Sequence, residues 1–171
     1  MLDILTQIEQ AKNAGLYYVA LFSALSVPDI AGALDSPNGV ANGQRYADWF
    51  DRHVGPKYLA QGTPTLCGMD CYYFRCSMLH QGTAQLQNPK AQFSRVFFVQ
   101  PGHQWLRMHN NVTHGALNID LNTFCQDIID AGRAWHALAS TTNLYLVNAA
   151  KCVTLHPHGL APYVGGVPCI G

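Results

Sequence analysis

Charge is what this chain has least of. Only 12% of its 171 residues are charged, and ten Lys and Arg balance ten Asp and Glu. That balance argues against a tight duplex-DNA binder, which needs a strong excess of basic residues. It leaves room for a small or single-stranded ligand, because a pocket can be basic in a neutral protein. A small monomer normally relies on surface charge for solubility, so the sparseness points to a surface partly buried against a second copy.

Other absences narrow the field further. Gly165-Gly166 lacks the flanking strand and helix of a phosphate-binding loop. No serine nucleophile elbow is present. The six cysteines, Cys67, Cys71, Cys76, Cys125, Cys152 and Cys169, show no paired short knuckles, and His156-Pro157-His158 alone makes a poor metal site. Buried, inert thiols are therefore expected, with no metal and no cofactor. Met1 to Gln10 is an acidic, amphipathic start without an apolar signal region, which predicts a cytoplasmic chain with reduced thiols. The apolar run from Leu16 to Leu34 is too short and too interrupted by Pro28 and Asp29 for a membrane span. Without repeats or linkers, residues 1–171 read as one domain.

What is present is mainly helical. Leu2, Leu5, Ile8 and Ala11 recur at three-residue steps as a short helix, and Gly15 breaks or bends it. The run to Leu34 predicts a core helix kinked or ended near Pro28, with Tyr17, Tyr18 and Phe22 as core rather than as a base-stacking platform. Tyr46, Trp49, Phe50, His53 and Val54 form one face of a third helix, closed by Gly55-Pro56. Thr65 is the expected N-cap of a fourth, running to His80. Ser94 to Val99, Trp105 to His109 and Ala116 to Leu121 read as an antiparallel β meander inserted at about 94–121. His103, His109 and His114 cluster around it. A last helix follows from about Asn122 to Ala139, capped by Asp120 or Asn122, with His136 half-buried beside Trp135. The uncharged residues 152–171 predict an extended tail. The expected architecture is a helical bundle, residues 1–82 plus 122–140, carrying the meander and the tail.

The fourth helix holds the sharpest signal. At roughly 100° per residue, Cys67, Cys71, Phe74 and Met78 fall in one stripe that should enter the core. Asp70, Ser77 and Gln81 form a thin polar edge. Met69, Tyr72, Tyr73, Arg75, Cys76, Leu79 and His80 fill the remaining face, which is too apolar and aromatic to suit water. A helix apolar on two sides is deeply buried or packed on a partner. An arginine is costly to bury alone, so a groove between two copies is the expected setting. There Arg75 would fork its donors onto phosphate oxygens, and His80 would move protons to or from a ribose oxygen. Tyr72 or Tyr73 could stack on a base.

Arg75-x4-His80 near a helix end, preceded by bundle helices, resembles the R-x4-6-H motif of the HEPN superfamily. The resemblance covers roughly the first eighty residues and the helix from Asn122. It implies a helical bundle that dimerises so that two motifs converge, and a metal-independent ribonuclease of the kind found among toxins, RNA-processing factors and phage-defence proteins. It also implies Arg75 and His80 as catalytic residues, with Asp29 matching an acidic residue of an earlier helix. Family members often carry a polar residue, commonly Asn, directly after the arginine; this chain has Cys76.

Three alternatives stay open. Arg75 could form a structural salt bridge to Asp29, with His80 favoured at the helix C-terminus by the macrodipole. The chain could bind a nucleotide or nucleotide-derived signal without cleaving it, or be a purely structural dimer. A second match, Arg107-x6-His114, spans the turn at Asn110-Asn111 rather than lying on a helix.

Overall fold

The computed structural model of the protein describes residues 1–60, 63–86, 88–100, 102 and 108–171. Helix α1 spans Leu2–Asn13 and buries Leu5, Ile8 and Ala11. Leu2 is exposed instead, because steps of three fall behind the helical period and carry Leu2 to the side opposite Ala11. Gly15, at φ +73°, turns the chain into α2, Tyr17–Leu34. This helix does not end at Pro28 but runs through it to Leu34. Pro28 is itself buried with Val27, Ala31 and Leu34, and that burial offsets the one backbone hydrogen bond the proline removes. Tyr18 is a second departure: it lies exposed, edge-on to Phe22.

Helix α2 is the hub, packed against α1, α3 (Gly43–His53), α4 (Gly68–Gln81), α5 (Leu121–Ala139) and α6 (Asn143–Ala149). It is the one helix among the described residues long and apolar enough to cross a membrane, but half of it is buried inside the fold, as befits a core helix. Asn42 caps α3 through Arg45 N–H, and Tyr46, Trp49, Phe50 and Val54 face the core as their spacing predicts, with His53 stacked on Trp49. One hydrophobic cluster runs through these helices and the sheet.

Helix α4 starts two residues later than expected. Cys67, not Thr65, is its N-cap, and Asp51 accepts the Gly68 N–H at 2.6 Å. Thr65 instead bonds the Tyr58 carbonyl and the Asn110 side chain. Gly68 is required where α4 crosses α3: a Cβ there would sit 2.3 Å from the Ala47 carbonyl oxygen. Gly82, at φ +64°, closes the helix with bonds from Gly82 and Thr83 to the carbonyls of Met78 and Ser77. The predicted polar edge is in fact buried at Asp70 and Ser77. Asp70 tolerates this because its carboxylate accepts from Gln92 N–H at 2.9 Å and from the Cys67 thiol at 3.1 Å.

The strands do not form an antiparallel meander. Strands β1 (Leu59–Ala60) and β2 (Thr63–Pro64) pair as a short ribbon; β3 (Arg95–Val99), β4 (Asn111–Thr113) and β5 (Ala116–Asp120) make a sheet in the order β3-β5-β4. β5 lies parallel to β3 and antiparallel to β4. His114 and Gly115, both at positive φ, form the two-residue hairpin that joins β4 to β5, while the chain from β3 crosses over so that β5 runs in its direction. The predicted strand at Trp105 to His109 falls largely outside the described residues, as do His103 and Arg107. His109 packs on Tyr58, and His114 is exposed in the turn.

Asp120 caps α5 through Thr123 at 2.7 Å. Helix α6 has no counterpart in the sequence reading; its Asn148 side chain donates to the carbonyls of Leu34 and Ser36 and so ties down the end of α2. The tail is folded rather than extended: β6 (Leu155–His156) pairs with β9 (Cys169–Ile170), enclosing the pair β7 (Gly159–Leu160) and β8 (Val164–Gly165).

Candidate functional site

Helix α4 packs on α2, and Arg75 meets Asp29 between them. Arg75 Nε donates to Asp29 Oδ2 at 2.6 Å. The same guanidinium turns a second nitrogen the other way, and Arg75 Nη1 lies 3.0 Å from His80 Nε2. An arginine has only donors, so this contact makes Nε2 of His80 the acceptor and places the ring proton on Nδ1. The arginine thus links a carboxylate on one helix to an imidazole on another turn of its own.

Both members of the ion pair are largely enclosed, with 21% and 16% of the Arg75 and Asp29 side chains exposed. Burial pushes the Asp29 carboxyl above its ordinary value; Arg75 and His80 pull it back only in part. Burial works against charge on Arg75 too, but Asp29 and the neighbouring Cys76 sulfur hold its pKa above the ordinary value. Taking these charges from water therefore costs more than their attraction returns at Asp29.

The aromatic residues stand beside it. The Tyr72 ring lies 5.5 Å from the Tyr46 ring and 6.3 Å from that of Tyr73. It rests on Gly43, where a Cβ would come within 2.8 Å of the ring. A hydrogen bond with Cys76 raises the Tyr72 pKa, with burial adding to it. Cys76 Sγ is 3.9 Å from Arg75 Nη1. All six predicted site residues, Asp29, Tyr72, Tyr73, Arg75, Cys76 and His80, are therefore neighbours. The structure places the deeper cysteines elsewhere: burial pushes the thiols of Cys67, Cys71 and Cys125 up to about 11, 12 and 12, so they are protonated and unreactive. All six cysteines are free.

Sequence reasoning did not connect Ser77, Gln81 and Asn88 with this place. They line a cavity of about 250 Å³ together with Tyr72, Tyr73 and Cys76. Asn88 lies beyond the helix, so no periodicity could have found it. Among the described residues, no three His, Cys, Asp or Glu side chains converge as a metal would require.

Together these parts make a short line of carboxylate, guanidinium and imidazole beside a tyrosine-walled cavity. Such a line can hold a phosphate on the guanidinium and move a proton at the imidazole. No protein-family model, curated protein or solved structure matches the chain.

Proposed function

We propose that the protein is a HEPN-like, metal-independent endoribonuclease. It acts in the cytoplasm on single-stranded RNA as a homodimer, in a toxin or phage-defence role. The observation that carries this reading is the arginine clamped by Asp29 at 2.6 Å and aimed at an acceptor nitrogen of His80 at 3.0 Å. In the proposed reaction the phosphate draws Arg75 Nη1 away from His80 Nε2, and the freed nitrogen takes the proton of the RNA 2′-hydroxyl as its oxygen attacks the neighbouring phosphorus. Arg75 neutralises the charge growing on the non-bridging oxygens. The bond to the 5′-oxygen breaks, and that oxygen takes a proton from His80 of the partner subunit, which enters the step as the imidazolium. The products are a 2′,3′-cyclic phosphate and a 5′-hydroxyl. Pairing two copies across the half-buried outer face of α4 would supply both base and acid.

A second reading, a non-catalytic binder of a nucleotide or nucleotide-derived signal, is favoured by Cys76 in place of a polar residue and by the neutral charge, which suits a small ligand. One experiment separates the two. The purified protein is incubated with single-stranded RNA in excess chelator, and its mass is read by light scattering. Cyclic-phosphate ends and a dimer mass are expected. Intact RNA, with a nucleotide that raises the melting temperature, would transfer the site to the binder; a monomer mass would remove the shared groove.

Asp29 acts here as a positioning residue, and its replacement tests that role. Its folded pKa is raised, so its contribution to stability is present in acid and is lost as pH rises through that value. At neutral pH the ionised carboxylate is thus a cost, and the amide oxygen of Asn can still accept from Arg75. Asp29→Asn should shift the melting temperature by no more than about 4 °C while lowering the cleavage rate about tenfold or more. A large loss of stability with full activity would make the pair a strut.

A further inference from the structure

Beside the Arg75–His80 contact lies the cavity lined by Tyr72, Tyr73, Cys76, Ser77, Gln81 and Asn88, with no formally charged side chain among these described residues. Ser77 is only 8% exposed, and its hydroxyl has no hydrogen-bond partner among the described residues. It is therefore available to a group that enters the cavity. Asn88 uses its side-chain oxygen on Lys90 N–H at 2.9 Å, which leaves its amide hydrogens without a partner among the described residues. The Gln81 amide, at the exposed end of the helix, likewise makes no bond within the described residues. Two tyrosine rings wall the same space, and one of them, Tyr72, is seated firmly on Gly43 and Tyr46.

We infer that this cavity takes one unpaired base of the RNA strand, and that the base is adenine. The inference rests on the ribonuclease reading for its phosphate, which Arg75 would hold while the base enters past Cys76, 3.9 Å from Arg75 Nη1. Flat aromatic walls favour a planar ring, and a purine offers them more area than a pyrimidine. Between the purines, the lining decides by what it lacks. One edge of guanine presents two acceptors and calls for an arginine or lysine fork, and its other edge is rich in donors and calls for a carboxylate. Among the described residues neither charge lines the cavity. A side-chain amide, with donor and acceptor side by side, matches adenine.

The test measures binding apart from cleavage. Homopolymeric 2′-O-methyl hexanucleotides of the four bases, whose nucleophile is blocked, are titrated against the whole protein. The adenine strand should bind about tenfold tighter than the others. Gln81→Leu and Ser77→Ala, at an exposed helix end and by loss of one oxygen, should each bring it toward the level of the other three with the fold intact by circular dichroism. Equal binding of all four strands overturns the inference, as does a preference that survives both substitutions. Unmodified oligoadenylate, incubated in parallel, reports on the nuclease alone. A strand that is bound with base preference yet stays intact removes the nuclease reading and keeps the base site. Cleavage without base preference does the reverse.

Discussion

Replacing His80 by alanine should slow RNA cleavage by about 10²–10⁴-fold, the range removed with a single proton-transfer group. The fold should not notice. His80 is exposed on the last turn of α4, and among the described residues its ring is held by the Arg75 contact. Substitutions at such places usually change stability by no more than about 0.5 kcal/mol. Binding of an uncleavable strand should persist, because Arg75 keeps its place on Asp29. The measurement is a single-turnover rate for wild type and variant on one labelled RNA, with melting temperatures alongside. An unchanged rate would put the proton transfer on some other group and remove His80 from the mechanism.

Arg75→Lys discriminates between a working arginine and a structural one. In the structure one planar group reaches in two directions, Nε to Asp29 and Nη1 to His80. A lysine ammonium keeps the charge but is a single point. It can satisfy Asp29 or face the phosphate, not both in the same geometry. If the arginine serves only the ion pair, lysine should restore both stability and activity. If it also neutralises the transferring phosphate, the rate should fall about 10²-fold while the melting temperature stays close to wild type. Arg75→Ala is the less informative variant, since it leaves the Asp29 carboxylate enclosed without a partner and confounds stability with chemistry.

The helices were legible where apolar spacing reports burial directly, as at Tyr46, Trp49 and Phe50 on α3 or Phe124, Ile128 and Ile129 on α5. Helix α6 was not, because Leu144, Leu146 and Val147 face outward and its anchor is the polar Asn148. The sheet was misread for a related reason. Residues Ala116–Ile119 are buried on both faces, and a strand covered on both faces gives no alternation from which to read its direction. Pairing direction depends on where the chain returns, and short turns such as His114-Gly115 fix only one of the two joins. The cap of α4 fell to Cys67 because a thiol is an uncommon capping group, while Thr65 was drawn to Tyr58 and Asn110. At the site, Arg75, His80 and their neighbours could be picked out from one helix face, and Asp29 only through the resemblance to an acidic residue of an earlier helix or as a salt-bridge partner for Arg75. Ser77 and Asn88 could not: one looks like an ordinary polar edge, and the other joins the cavity only through the tertiary fold.

Asp29 belongs to the helix that touches all five others. The aim of the guanidinium is therefore set by the seating of α4 on that central post, not by the outer face of α4 alone. Anything that wedges these two helices apart, even by engaging the bundle on its far side, would swing Arg75 off target and silence the chemistry without blocking the groove. On the proposed function, an inhibitor need not resemble RNA at all.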